Sequence, residues 1–181
     1  MLVLVVGPSG AGKDTLLDAA RRTLAGDPRV RFVRRVITRP ADAGGEDHEA
    51  VSDAAFAARD FALQWQAHGL RYGIPVEIAE DLAQGRTVVA NVSRTVIAEA
   101  ARRFPVQVIE VTAPPEVLAA RLATRGREPA ADAAARMARN VPLPEGVPLI
   151  RVLNDGSIAQ GAERFVATLR GIIPAGAAAP G

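Results

Sequence analysis

The sequence predicts an α/β fold with a mostly parallel central sheet flanked by helices. Two observations lead there. Short apolar runs bounded by turns alternate with Ala-rich helical patterns along the chain, and the first run passes directly into a Gly-rich loop and then a helix. In order, "MLVLVV" reads as a buried strand and "DTLLDAARRTLA" as a helix ended by Gly26, Asp27 and Pro28. "VRFVRRVI", residues 30–37, alternates like one strand, and "SDAAFAARD" is a short helix with Ser52 as its cap. "VEIAEDLAQG" is a helix closed by Gly85, followed by the β-branched strand "RTVVANV". Helix "RTVIAEAARRF", strand "VQVIEVT" and helix "PPEVLAARLATRG", with prolines at its start, come next. A helix "PAADAAARMARN", a strand "PLIRVLN" and a helix "SIAQGAERFVATLRGII" complete the pattern. One domain over residues 1–172 is expected, with a disordered tail over 173–181, because "PAGAAAPG" offers nothing to bury.

With 181 residues and 49% of them hydrophobic, the chain has enough material for one core and too little for two. It has no cysteine, which excludes disulfides and thiolate metal sites and is compatible with the cytoplasm, the expected location. The opening apolar run is too short for a signal peptide and lacks a basic flank, and no later run approaches a membrane span, so no membrane partner is expected. The formal charge of +2 is modest and implies no nucleic acid. Among the 22 basic residues, 21 are arginine and Lys13 is the only lysine. Arginine clusters are therefore weak signals here.

That lone lysine falls within "GPSGAGKDT", residues 7–15, which fits the phosphate loop G-x-x-x-x-G-K-[ST] as far as Lys13. Backbone N–H groups of Gly7, Pro8, Ser9, Gly10, Ala11, Gly12 and Lys13, proline excepted, would face the phosphates of ATP, assisted by the positive end of the following helix. Asp14 stands where a hydroxyl usually meets Mg²⁺. Thr15 does not replace that hydroxyl, because successive helical residues are turned by about 100°, which aims Thr15 toward the α-phosphate. Asp14 is thus the expected ligand of Mg²⁺, a hard cation that a carboxylate suits. The plainer reading is a first-turn Asp that favours the helix dipole.

"GPSGAGK", "ITR" with Arg39, "YG" at Tyr72 and Gly73, "PPEVLAARLATRGRE" and "LND" at 153–155 resemble, in order, landmarks of guanylate kinases. The resemblance covers essentially the whole domain and implies a P-loop kinase fold with a small acceptor-binding region and an Arg-bearing lid. The departures carry information. Asp42 stands where those enzymes have a second acceptor arginine, His48 where they have a phosphate-binding tyrosine, and Gln64, Ile74 and Asn91 where they have groups that pair with guanine or close the strand. A site without those readers loses guanine selectivity.

With "GKD", "ITRPADAGGEDH", "HGLRYG" and "NVSR", the chain resembles the ribose 1,5-bisphosphate phosphokinases of phosphonate breakdown. That resemblance implies ATP as donor and a small phosphorylated sugar as acceptor, converted to 5-phospho-α-D-ribose 1-diphosphate. The nucleophile is then a phosphate oxygen already ionised near neutral pH, so no general base is required. The resemblance implies Arg39, His48 and Tyr72 toward the acceptor, and Asn91 and Arg94 at a strand end where open α/β sheets bind ligands. It implies a lid from Arg121, Arg125, Arg127, Arg136 and Arg139, of which Arg125 and Arg136, with Lys13, are the expected catalytic groups. Asn154 is expected near adenine, or in an Asx turn with Asp155. A nucleoside monophosphate kinase of altered base choice and a non-catalytic binding module are the alternatives, and homodimerisation is left open.

Overall fold

The computed structural model describes residues 1–41, 46–124 and 142–175. Its elements are β1 (Leu2–Val6), α1 (Lys13–Thr23), β2 (Val30–Phe32), β3 (Arg35–Ile37), β4 (His48–Ala50), α2 (Asp53–Ala57), β5 (Phe61–Ala67), β6 (Leu70–Pro75), α3 (Ile78–Ala83) and β7 (Thr87–Asn91). A 3-10 turn (Arg94–Val96), α4 (Ile97–Arg103), β8 (Val106–Thr112), α5 (Pro115–Thr124), β9 (Leu149–Leu153) and α6 (Ile158–Ile172) follow.

The central sheet has the order β2-β7-β1-β8-β9, with every neighbouring pair parallel. Parallel strands covered on both faces need apolar side chains throughout, which is why β1 is buried at all five positions. Its alternation feeds two cores. Leu2, Leu4 and Val6 point to the side of α3 and α4, with Ile78, Ile97 and Ala100. Val3 and Val5 point to the side of α1, α5 and α6, with Leu16, Leu118 and Phe165. Each fully buried Leu, Ile or Phe contributes roughly 1.5–3 kcal/mol relative to exposure, so the two cores hold most of the fold's hydrophobic stabilisation. Helix α6 starts with a capping box in which Ser157 accepts from the Gln160 amide and the Gln160 side chain accepts from the Ser157 amide.

A second sheet, β4-β3-β6-β5, lies on the α3 and α4 side and contributes Ala62, Leu63 and Ile74 to that core. Here the structure departs from the expected elements. The single strand expected over 30–37 is two: β2 pairs with β7, and after Val33, whose amide still donates to the Val89 carbonyl, the chain crosses to the other sheet as β3. Phe32–Val33 and Arg34–Arg35, adjacent residues of like character, interrupt the alternation where the chain changes partner. Strands β4, β5 and β6 were not anticipated. β5 and β6 form an antiparallel hairpin closed by His68 and Gly69, both at positive φ (55° and 71°), the geometry that matches strand twist. Ile173, placed in the expected tail, is buried against Leu169 and belongs to the core. The helix expected over 129–140 and the rest of the tail from 176 lie outside the described residues. No described helix is long and apolar enough to cross a membrane.

Candidate active site

The C-terminal end of β1 runs into the loop of residues 7–12, and α1 begins at Lys13. Gly7 passes so close to β8 that a Cβ there would lie 2.2 Å from the Val111 carbonyl oxygen, which is backbone and cannot step aside. Gly12, at φ 87°, caps α1 without a side-chain hydrogen bond, so the first-turn amides stay directed at whatever sits above the loop. The Lys13 ammonium donates to the carbonyls of Gly7 at 2.7 Å and Pro8 at 3.1 Å. Burial lowers its pKa to about 8; Asp14 opposes that effect, while Arg35 and Arg94 add to it and Glu46 partly offsets them. Those long-range effects also show that Arg35, Arg94 and Glu46 share the electrostatic neighbourhood of the loop. Thr15 is partly exposed in the first turn of α1.

Asn154, at the end of β9, lies beneath the loop. It is 5% exposed, and its Nδ2 donates to the Ala11 carbonyl at 2.8 Å. Its Oδ1 is buried without a hydrogen-bond partner, and a Cβ on Gly12 would meet its Nδ2 at 2.6 Å. The structure therefore places Asn154 as a strut under the phosphate loop. Arg121 of α5 has a buried Nη1 without a hydrogen-bond partner, 4.0 Å from where a Gly12 Cβ would be.

On the side expected to take the acceptor, a chain of polar contacts joins the two sheets. Asn91, at the end of β7, donates from Nδ2 to Asp14 Oδ1 at 2.9 Å, which fixes one carboxylate oxygen. Arg35 of β3 donates from Nη1 to the Asn91 carbonyl at 3.3 Å and grips Glu46 with both Nε, at 2.9 Å, and Nη2. Its guanidinium lies over the rings of Tyr72 and Trp65, 5.3 and 5.8 Å from their centroids. Those rings face each other across the β5–β6 pair, 5.3 Å apart and 5° from parallel.

Of the expected acceptor residues, Tyr72 is buried in this stack. His48 is 5% exposed, with Nε2 3.1 Å from the Arg39 carbonyl and Nδ1 2.9 Å from the Glu46 carbonyl. It thereby ties together the two ends of the 39–46 segment. Arg39 approaches the same ring with Nη2, 3.3 Å from Nδ1, while its Nε is buried without a hydrogen-bond partner. Arg94 reaches Glu110 at 2.5 Å, and Arg151 closes the other oxygen of that buried carboxylate at 2.9 Å. Arg125, Arg136 and Asp42, like Arg127 and Arg139, fall outside the described residues. Among the described residues no group of three or more His, Cys, Asp or Glu could hold a metal ion. Asp14 nevertheless fits Mg²⁺, which commonly takes one or two protein carboxylates and completes its shell with phosphate oxygens and water.

Sequence reasoning missed Arg35, Glu46 and Glu110. The signal available for the first two was an arginine set among the apolar residues Val33, Val36 and Ile37, since a buried Arg requires a carboxylate partner.

A protein-family model described as "AAA domain" matches residues 3–141. The chain is 63% identical over 138 residues to a protein of Acidiphilium cryptum (strain JF-5) named ribose 1,5-bisphosphate phosphokinase PhnN, covering 76% of each. It is 52% identical over 177 residues to the protein of that name from Methylobacterium radiotolerans, covering 93% of this chain and 97% of that one. Longer relatives, named bifunctional ribose 1,5-bisphosphokinase-thymidine phosphorylases, are spanned for only 25–29% of their length. Among solved structures, guanylate kinase from Anaplasma phagocytophilum superposes with a TM-score of 0.66 at 20% identity, over 96% of this chain and 85% of that one, a likeness of fold.

Proposed function

The chain belongs to the ribose 1,5-bisphosphate phosphokinase family, and from that premise we infer that it transfers the γ-phosphoryl group of ATP to ribose 1,5-bisphosphate in phosphonate catabolism. The bond between the γ-phosphorus and its bridging oxygen breaks, an oxygen of the 1-phosphate takes its place, and ADP and 5-phospho-α-D-ribose 1-diphosphate leave. The observation that carries this reading is the pairing of a phosphate loop that fits as far as Lys13 with a neighbouring polar pocket in which Arg35 and Arg39 approach from β3 and the residues just after it. Ile74 is fully buried in the core, and Arg35 lies over the rings of Trp65 and Tyr72, where a base would otherwise stack.

In this reading the loop amides and Lys13 hold the β and γ phosphates, and Asn154 keeps the loop in shape from below. Arg39 holds the reacting phosphate, and His48 positions Arg39 through its backbone carbonyl. Mg²⁺, held by Asp14 with Asn91 fixing that carboxylate, would supply neutralisation of the phosphate charge. Arg125 and Arg136 are proposed as the lid groups that meet charge developing during transfer. Since the nucleophile is an anionic oxygen, charge neutralisation and in-line placement suffice, and no side chain has to remove a proton. A cytoplasmic location accompanies ATP as the donor.

The reading is tested by a panel of acceptors. With Mg²⁺ and ATP, ribose 1,5-bisphosphate should be phosphorylated at least 100-fold faster, as kcat/KM, than GMP, AMP or dTMP, because a hydrogen-bonding site separates substrates by about 10⁴ when its groups are left unpaired. A nucleotide that wins the panel would overturn it.

A further inference from the structure

Arg35 is placed unlike the other arginines of the described site. It sits on the inward face of β3, its side chain is 11% exposed, and its plane is held between the Asn91 carbonyl, the Glu46 carboxylate and the rings of Trp65 and Tyr72. Burying an arginine–carboxylate pair is weak evidence for stability, since desolvation offsets most of the attraction and an apolar pair of the same size serves as well. The pair lies where stability is not the only concern. Through Asn91 it is one residue from Asp14, and both its members act on the charge of Lys13.

We propose that Arg35 anchors the phosphate of the acceptor that does not react, and that Glu46 is the resident carboxylate this phosphate displaces. The proposal rests on the acceptor being a sugar bisphosphate. A guanidinium presents a planar fork that fits a carboxylate and a phosphate in the same two-point manner, so one ligand can replace the other without moving the arginine. The aromatic rings behind it keep the fork flat and aimed. Arg39, just beyond β3 and against His48, serves the reacting phosphate, and Arg94 is engaged with Glu110. Two arginines on and just beyond β3 thus divide the two phosphates between them. The same placement rejects nucleosides, because Arg35 covers the aromatic faces against which a base would stack.

Ribose 5-phosphate carries the anchored phosphate alone, and ribose 1-phosphate carries the reacting one alone. Calorimetry with ribose 5-phosphate and kinetics with ribose 1-phosphate and ribose 1,5-bisphosphate therefore separate the two positions. Arg35→Met keeps an apolar stem against Trp65 and Tyr72 and removes the fork. It should weaken ribose 5-phosphate binding and raise the KM for the bisphosphate by about 50-fold, the loss of a charge-assisted contact, while raising the KM for ribose 1-phosphate at least tenfold less. Glu46→Gln removes the competing charge at constant shape and should tighten ribose 5-phosphate binding several-fold. Wild-type protein that does not bind ribose 5-phosphate, or an Arg35→Met variant that binds it as wild type does or loses both substrates equally, overturns the proposal. Should Arg35→Met not fold, Glu46→Gln decides: tighter binding supports the exchange, and unchanged or weaker binding refutes it. Wild-type protein that binds ribose 5-phosphate yet leaves the bisphosphate unphosphorylated would sink the kinase reading and leave the anchor standing.

Discussion

Lys13 donates to two carbonyls of its own loop, and burial brings its pKa to about 8 from 10.5. Because the charged form is the disfavoured one, the free protein loses its ammonium as pH rises through about 8, and kcat/KM should show an alkaline limb there. Bound phosphates favour the ammonium, so the corresponding limb in kcat should lie at higher pH; coincident limbs would mean that Lys13 does not meet the nucleotide. The sign for folding is opposite. Between pH 8 and 10.5 the unfolded chain holds the proton that the folded chain has lost, so this group's contribution to stability rises with pH. Asp14 yields a second expectation, motivated by its hydrogen bond to Asn91. Asp14→Ser should bind ATP more tightly in chelator, since a repelling carboxylate is gone, yet need several-fold more Mg²⁺ for half-maximal turnover. Asn91→Ala, which frees the carboxylate to turn, should raise the Mg²⁺ requirement by less. A Mg²⁺ titration at fixed ATP reads both, and unshifted midpoints would reduce Asp14 to a residue favoured by the helix dipole. At this scale the loop was legible because its residues are contiguous and contain the chain's sole lysine. The Arg35–Glu46 pair was not, because its members meet only when the second sheet forms, and 21 arginines hide any one that matters.

Among elements, the five central strands and the helices that cover them could be read from the chain because each carries its own period. Five apolar positions in a row before a Gly-rich turn, as in β1, fit a strand of a parallel sheet covered on both faces, and α1 places Leu16, Leu17 and Ala20 on one face. The second sheet resisted for a physical reason. β3 and β4 are three residues each, too short to show a period, and the sheet devotes inward positions to the polar side chains of Arg35 and His48. The β5–β6 hairpin did leave a signal, alternation in "FALQWQA" and a two-residue His-Gly turn. The expected strand over 30–37 failed at Val33 and Arg34, where one sheet hands the chain to the other and the adjacent pairs Phe32–Val33 and Arg34–Arg35 interrupt the alternation.

For the molecule as a whole, the two sheets share one core, in which Leu63 and Ile74 of the hairpin are buried with Leu2, Leu4 and Val88 of the central sheet. We propose on this basis that residues 1–173 unfold as one domain. Trp65 is the only tryptophan and lies in the second sheet, so its fluorescence reports that sheet, while far-UV circular dichroism is dominated by the helices around the other. The two urea curves should coincide; separated midpoints would divide the protein into two units. The order β2-β7-β1-β8-β9 carries a further consequence, one of timing. β1 is made first and sits at the centre, but both its neighbours, β7 and β8, are encoded 80 or more positions later, up to Thr112. On a ribosome adding roughly 5–20 residues per second, the phosphate loop therefore waits about 4–16 s after its own synthesis before the first partner of the strand that presents it has been made. Throughout that interval "LVLVV" emerges as a bare β-prone segment, so the strand that later presents the phosphate loop is also a stretch that a nascent-chain chaperone has reason to cover.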